Sequence, residues 1–423
     1  MFFLFSLFAI IAYFFNGYLG FFISLIFSIF VICDKKKSFY FKIFELLIFS
    51  LPMEYIGIFG AKMNHVFSYY NIFLLILIIS VFMNKNRISN IKLTAILIFF
   101  SLIILSVLME ENLLDNFIEV FQMILIIVPI FILYNSKKIF FNQQEINNLI
   151  EKYSNVCVTT ALAMLLQFLL YNKFGLQVGF FSFGAGRVSY YCLFKGASVL
   201  PIFMGIGFLL MFINYLNFET KNNTFGIIIK MLIIFSATIL NSSRSALAIL
   251  LICILLALLG KYKNKMNIKT IFMFVVVAIG AYFGINYIMN NRINLNGFLD
   301  DNGRFETFKT GIMIWTSSFK RFFLGAGFKS SIWEGVTKPH NFIIQSLSQC
   351  GIIVTTILLL WIISCLLYNK SRYRLLLIYI ILSCMLITDF YANSFITIII
   401  ILINEFRKFE LLNNVDVTSQ NLK

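Results

Sequence analysis

The sequence predicts an all-α fold: a polytopic integral membrane helical bundle of about 14 transmembrane helices with a long extracytoplasmic loop. Three observations carry this. Hydrophobic residues make up 60% of the 423 positions and charged residues only 12%, whereas about 25% of a soluble domain is charged. Apolar runs of roughly 15–22 residues recur along most of the chain, each long enough to cross a bilayer as a helix. The runs are continuous rather than alternating, which excludes a membrane β-barrel.

Threading these runs through a bilayer gives spans near 1–15, 18–33, 39–59, 66–83, 92–109, 116–134, 153–172, 197–213, 225–241, 245–260, 270–289, 341–367, 374–390 and 393–404. The first run, MFFLFSLFAIIAYFF, lacks a basic n-region and a small-residue cleavage site, so it reads as a retained helix. No linker, soluble domain or inverted repeat interrupts the pattern. Residues 1–423 therefore read as a single integral membrane domain.

Charge then orients the threading. The chain has 34 Lys+Arg against 18 Asp+Glu. The basic residues concentrate in DKKK (34–37), NKNR (84–87), the 136–152 stretch, ETKNN (219–223), KYKNKMNIK (261–269), NKSRYR (369–374) and the FRK tail (406–408). All fall on one side, which the positive-inside rule makes the cytoplasm, with both termini there. The same rule accounts for the basic balance without a nucleic-acid partner. The seven cysteines show no CxxC or metal spacing, and most fall in apolar runs as small hydrophobes.

The other side carries two longer segments, 172–196 and 290–340, and four pieces of sequence with chemical potential. FGAGRVSYYCLFKGAS (183–198) places Arg187 and Lys195 in a Gly-rich loop. ILNSSRSALAIL (239–250) places Arg244 in a tight turn among serines, on the face where basic residues are disfavoured. In 300–331, Phe305, Phe308, Ile312 and Trp315 recur at helical spacing beside Arg304, Lys309, Lys320 and Arg321. Finally, Lys338, Pro339, His340 and Asn341 open a span. Asn341, Gln345, Ser348 and Gln349 then form one polar stripe, and the helix N-terminus favours an anion. The plainer reading of each piece is an interfacial or capping residue, or a solvated helix resting on the bundle.

No HExxH, carboxylate cluster or nucleotide cradle appears, so neither metal nor cofactor is expected. What remains is Arg and Lys, which suit a diphosphate, and one His, which suits a hydroxyl.

These residues resemble the bacterial O-antigen polymerase and O-antigen ligase superfamily of polytopic glycosyltransferases. The resemblance rests on His340-Asn341, nine residues, then Gly351; on SSRSALAIL; on DNGRFETFKTGIMIW followed by FFLGAGF; and on GRVSYYCLFKGAS, in that family's order. It covers roughly 180–360 and departs from the pattern at Ala248 and Val354. It implies a GT-C-like bundle in the bacterial cytoplasmic membrane. It also implies an undecaprenyl-diphosphate-linked oligosaccharide donor and metal-independent, inverting transfer on the extracytoplasmic face. On this reading His340, Arg244 and Arg304 are catalytic, and Arg187, Arg321, Lys338, Asn341 and Lys195 bind the diphosphate or sugar. Partners would be the lipid-linked oligosaccharide and membrane lipid, with a chain-length regulator protein left open. The expected activity is repeat-unit polymerisation for O-antigen, capsule or exopolysaccharide. Two alternatives stand beside it: a ligase, which moves the finished glycan to lipid A core or another acceptor, and a flippase or exporter. Against transport, charge within spans is scarce, with Glu54, Glu119, Lys230 and Asp389 in or near them. His65, Glu110, Glu111 and Asp115 face outward with no role assigned.

Overall fold

A computed structural model describes residues 1–57, 68–83, 101, 103–104, 120–121, 123–125, 127–130, 133, 140–184, 187–194, 196, 199–217, 224–241, 243–262, 268–290, 303–328, 331–333, 336, 338–368, 373–386 and 394–420. It divides into two compact units. The first comprises Met1–Phe73, Gln144–Asp300 and Leu375–Ser383; the second comprises Leu74–Gln143, Asp301–Arg374 and Cys384–Lys423. Lys195, His65, Glu110, Glu111, Asp115, Glu119 and Asp389 lie outside the described residues, as do all of the fifth expected span but 101, 103 and 104 and about half of the sixth.

The first unit opens on a helical hairpin, α1 (Phe2–Phe15) and α2 (Gly17–Cys33). Asn16 makes the turn: its backbone is extended, and its side chain accepts from the amides of Tyr18 and Leu19 at 2.9 and 3.3 Å. That satisfies two of the donors that every helix start leaves over. Phe8, Phe15, Phe22 and Phe30 point outward and are exposed. Large apolar side chains on an outer face are what lipid, rather than water, tolerates.

Helix α3 (Phe39–Ser50) starts at Ser38, whose hydroxyl accepts from the amide of Phe41. It stops short of the expected 39–59 span and passes into a 3-10 turn, Leu51–Met53, because Pro52 has no amide to continue the ladder. Helix α4 (Tyr69–Met83) follows and belongs to the first unit up to Phe73 and to the second from Leu74. Helix α5 (Gln143–Phe174) corrects an expectation. Residues 143–152 were expected in a cytoplasmic loop, but they are its first turns, with Ile146, Leu149 and Ile150 buried.

A β-hairpin follows α5: β1 (Phe181–Gly184) pairs antiparallel with β2 (Arg187–Tyr190). It is a local exception to the all-α expectation. The remaining helices of this unit are α6 (Val199–Asn217), α7 (Thr224–Leu240), α8 (Arg244–Tyr262) and α9 (Ile268–Asn290).

The second unit contains α10 (Arg304–Thr316), α11 (Phe319–Leu324), a 3-10 turn Ser331–Trp333, α12 (Phe342–Tyr368) and α14 (Ser394–Gln420). Helix α13 (Arg374–Leu386) is shared between the two units. Within the 290–340 segment, α10 lies where Phe305, Phe308, Ile312 and Trp315 recur at helical spacing, and α11 follows it. Helix α14 runs well past the expected end at 404. Ile103, Val120, Met123, Ile127, Phe328, Cys350 and Val354 form an apolar core within this unit.

Among the described residues, four helices are long and apolar enough to cross a membrane: α5, α6, α8 and α12. Helices α1, α2, α4, α7 and α13 are apolar but shorter.

Candidate functional site

In the first unit, two of the four sequence pieces meet. Gln167, one turn before the end of the apolar run of α5, donates from Nε2 to the carbonyls of Val178 and Phe180 at 2.7 and 2.9 Å. Its Oε1 accepts from the amide of Cys192 at 3.1 Å. One buried amide side chain thereby bonds three backbone groups on both flanks of the β-hairpin; the Phe180 carbonyl also accepts from the Tyr191 amide at 3.1 Å, and a buried backbone group left without a partner costs about 1–3 kcal/mol. Phe168 and Tyr171 pack their rings on Tyr190, and Asn172 donates to the Tyr190 hydroxyl at 3.1 Å. Burial pushes the Tyr190 phenol above its ordinary value, so it stays a neutral hydroxyl.

The turn before α8 reaches the same hairpin. Asn241 is fully buried and donates to the carbonyl of Tyr190 at 2.6 Å. Arg244 is the first residue of α8 and is only 7% exposed. Its guanidinium is therefore drawn into the protein, whereas an arginine that only snorkels keeps its head in solvent. Arg187 lies at the start of β2, opposite Gly184, three residues before the carbonyl that Asn241 holds. The structure therefore brings the Arg187 and Arg244 segments together through Tyr190.

In the second unit, the other two pieces form one assembly around α12. Asn341 caps the helix, its Oδ1 accepting from the amides of Ile343 and Ile344 at 3.0 and 3.1 Å. Its Nδ2 donates to the carbonyl of Met385 at 3.1 Å. This corrects the anion-site expectation at the opening of α12: two of the donors that a diphosphate would use are already taken by Asn341. Asn341 is a cap and an anchor. His340 stands just before it and is exposed.

The polar stripe predicted behind it is present, and it is buried: Gln345, Ser348 and Gln349 are 2%, 0% and 1% exposed. Gln345 donates to Gln349 at 3.2 Å.

Helix α12 is broken at Gly351, whose φ of 77° and ψ of 178° leave the helical region. Only glycine takes that conformation without strain. The break frees the carbonyls of Ser348 and Gln349 from the helix ladder, and both accept from another segment: Ala326 donates to Ser348 at 2.8 Å and Gly327 to Gln349 at 3.0 Å. Gly325, also left-handed at φ 77°, lies against the Gln349 backbone, and Gly351 lies against the Phe323 carbonyl, where a Cβ on either would overlap main chain. The GAG of FFLGAGF and the glycine that ends the histidine motif are thus two halves of one backbone joint.

Helix α10 packs on the same stretch. A Cβ on Gly311 would meet Pro339 at 2.6 Å and Ile344 at 2.8 Å. Arg304 begins this helix, seven residues earlier in sequence, roughly 10 Å along the axis. Trp315 stacks on Phe322 at 4.9 Å and donates to its carbonyl at 2.9 Å, which folds α11 back on α10. Arg321 donates to the Ser317 hydroxyl at 3.0 Å. Lys338 donates to the carbonyl of Phe328 at 2.8 Å, so its ammonium fixes the approach to His340.

Of the eight residues singled out in sequence, Arg187 and Arg244 belong to the first unit. Arg304, Arg321, Lys338, His340 and Asn341 belong to the second, and Lys195 is outside the described residues. Sequence reading missed Gln167 and Asn241, the two amides that hold the hairpin. A lone glutamine near the end of an apolar run was the available signal for Gln167.

No family model, curated protein or solved structure matches this chain.

Proposed function

We propose that this protein is a repeat-unit polymerase for O-antigen, capsule or exopolysaccharide. It would move a growing glycan from undecaprenyl diphosphate to a sugar hydroxyl of another lipid-linked repeat unit, on the outer face of the cytoplasmic membrane, by inverting transfer. The observation that carries the reading is the joint in the second unit. The Gly325–Gly327 segment and Gly311 of α10 both close on the Pro339–Gly351 stretch. Motifs separated in sequence pack into one element that bears Arg304, Arg321 and an exposed His340. A site of this kind needs rigidity, because a misplacement of about 1 Å costs on the order of 10²-fold in rate.

In the mechanism, arginine holds the diphosphate and stabilises the charge that builds as the anomeric C–O bond breaks; the candidates are Arg187 and Arg244 in the first unit and Arg304 in the second. His340 orients the acceptor hydroxyl and takes its proton as the new glycosidic bond forms. The diphosphate leaves on its lipid. Lys338 and Asn341, whose polar atoms hold backbone, position His340.

The test is the size profile of lipid-linked and surface glycan in a deletion strain complemented with wild type or His340→Ala. Single capped repeats from the variant, where wild type gives a ladder, support the polymerase. Long chains retained on the carrier indicate a ligase, and a wild-type ladder from His340→Ala removes the histidine from the mechanism.

A further inference from the structure

The α10–α11 pair carries an outer face unlike that of a loop helix in water. Phe305, Ile312 and Met313 are 73%, 45% and 53% exposed on α10, and Phe319 on α11 is 82% exposed. On a helical wheel Phe305, Ile312 and Met313 share one side of α10 with Lys309 and Thr316, opposite the buried Gly311 and Ile314. Lys320 is exposed next to Phe319. The inner side of α10 is fixed: Ile314 packs with Ala326 and Trp333, and Gly311 sits on Pro339 and Ile344.

That last contact sets the depth of α10. Pro339–Ile344 is the mouth of α12, a helix long and apolar enough to cross a membrane. A helix resting on the first turn of a span lies at the boundary between headgroups and acyl chains. Large apolar side chains interspersed with lysines are the composition that such a boundary selects.

The geometry points to α10–α11 as an interfacial membrane element. Phe305, Ile312, Met313 and Phe319 enter the outer edge of the acyl layer, and Lys309 and Lys320 reach lipid phosphates. The occupant of this face is the bilayer itself. The inference rests on α12 crossing the membrane and is independent of the catalytic reading.

Spin labels test it in the full-length protein reconstituted into phosphatidylethanolamine–phosphatidylglycerol vesicles. Cys33 is the exposed native cysteine among the seven, so labels go on Phe305→Cys, Ile312→Cys and Phe319→Cys in a Cys33→Ser background. Lys36→Cys serves as the water reference and Phe22→Cys, on the exposed face of α2, as the lipid reference. Each label is read for collision with oxygen, which partitions into lipid, and with a water-soluble nickel chelate. The expected result is oxygen-dominated collision at all three positions, at a depth of roughly 5–10 Å. Nickel-dominated collision matching position 36 would overturn the inference, because the face would then be in water. Poor access to both reagents would overturn it too, because protein would then cover the face. All three sites are exposed, so labelling should leave the fold intact; an unchanged melting temperature in detergent checks this.

Discussion

Asn241 donates its side-chain amide to the carbonyl of Tyr190 at 2.6 Å, which ties the turn before Arg244 to the strand that begins at Arg187. The bond joins residues 51 apart in sequence and is fully buried. Asn241→Leu keeps the volume and removes the donor, leaving a desolvated carbonyl at a cost of about 1–3 kcal/mol. Hydrogen exchange at the amides of Arg187–Tyr190 should speed up accordingly, and polymerisation should fall without loss of membrane insertion. Unchanged protection would mean that Gln167 alone holds the hairpin.

The break at Gly351 makes a prediction about stability. Alanine there must adopt a left-handed backbone, at about 1–3 kcal/mol, and its methyl would overlap the Phe323 main chain, which cannot swing aside. Gly351→Ala and Gly325→Ala should each lower the melting temperature in detergent markedly or abolish expression. Gly260→Ala, where a Cβ meets nothing within 4 Å, should be neutral or stabilising by up to about 1 kcal/mol. If Gly351→Ala melts like wild type, the backbone joint with Gly325–Gly327 is not what holds α12.

His340 and Asn341 are adjacent and should fail differently. Asn341→Ala loses a helix cap, about 1 kcal/mol, together with the bond to Met385. Its melting temperature should drop, and activity should drop partly. Asn341→Asp keeps the cap and should recover much of the stability. His340→Ala removes an exposed side chain, so it should lose less stability than Asn341→Ala and yet yield no glycan ladder. Equal losses of stability in the two alanine variants would make His340 structural.

The arginines are distinguished by lysine. Loss of a preorganised electrostatic donor costs on the order of 10²–10³-fold in rate, so Arg244→Ala and Arg304→Ala should fall by that much. Lysine keeps the charge and loses the planar fork. Arg244→Lys and Arg304→Lys should therefore stay well below wild type in ladder length and rate. Full activity in either would show that bidentate binding is not required there.

Helix existence was legible in the chain and helix detail was not. Asn16 divides α1 from α2 where the apolar runs divide, because a short polar side chain between two apolar runs can both break and cap a helix. Gly351 lies inside one expected span, 341–367. Its break is invisible to periodicity, because the carbonyls it frees are satisfied by Ala326 and Gly327, partners that no local pattern encodes. The hairpin at 181–190 was hidden for the same reason, since Gln167 stabilises it from a helix and Asn241 from a turn far along the chain. The polar stripe of α12 was legible because it repeats at helical spacing. That Asn341 caps the helix rather than waiting for a ligand depends on side-chain direction, which spacing does not give.

Glu45 shows the same limit and yields the last prediction. It lies in α3 at 3% side-chain exposure and pairs with Lys152 of α5, 107 residues away, and with Lys37 at 2.9 Å. The Lys152 ammonium also sits over the rings of Phe2 and Phe41 at 5.3 and 5.0 Å. Both charges of the main pair are thus largely removed from solvent, where desolvation offsets much of their attraction. Glu45→Leu leaves Lys152 beside aromatic rings without its carboxylate, and Lys152→Met leaves Glu45 with Lys37 alone. Breaking a buried pair from one side costs about 3–5 kcal/mol. Lys37 should soften the Lys152→Met variant, which is therefore expected to be the milder of the two. The double variant Glu45→Leu/Lys152→Met replaces the pair with apolar groups of similar size and should cost far less than the two single changes added together. Melting temperatures of the four proteins in one detergent close the cycle. Additive losses would show that Glu45 and Lys152 act independently, and that α3 and α5 are held by packing alone.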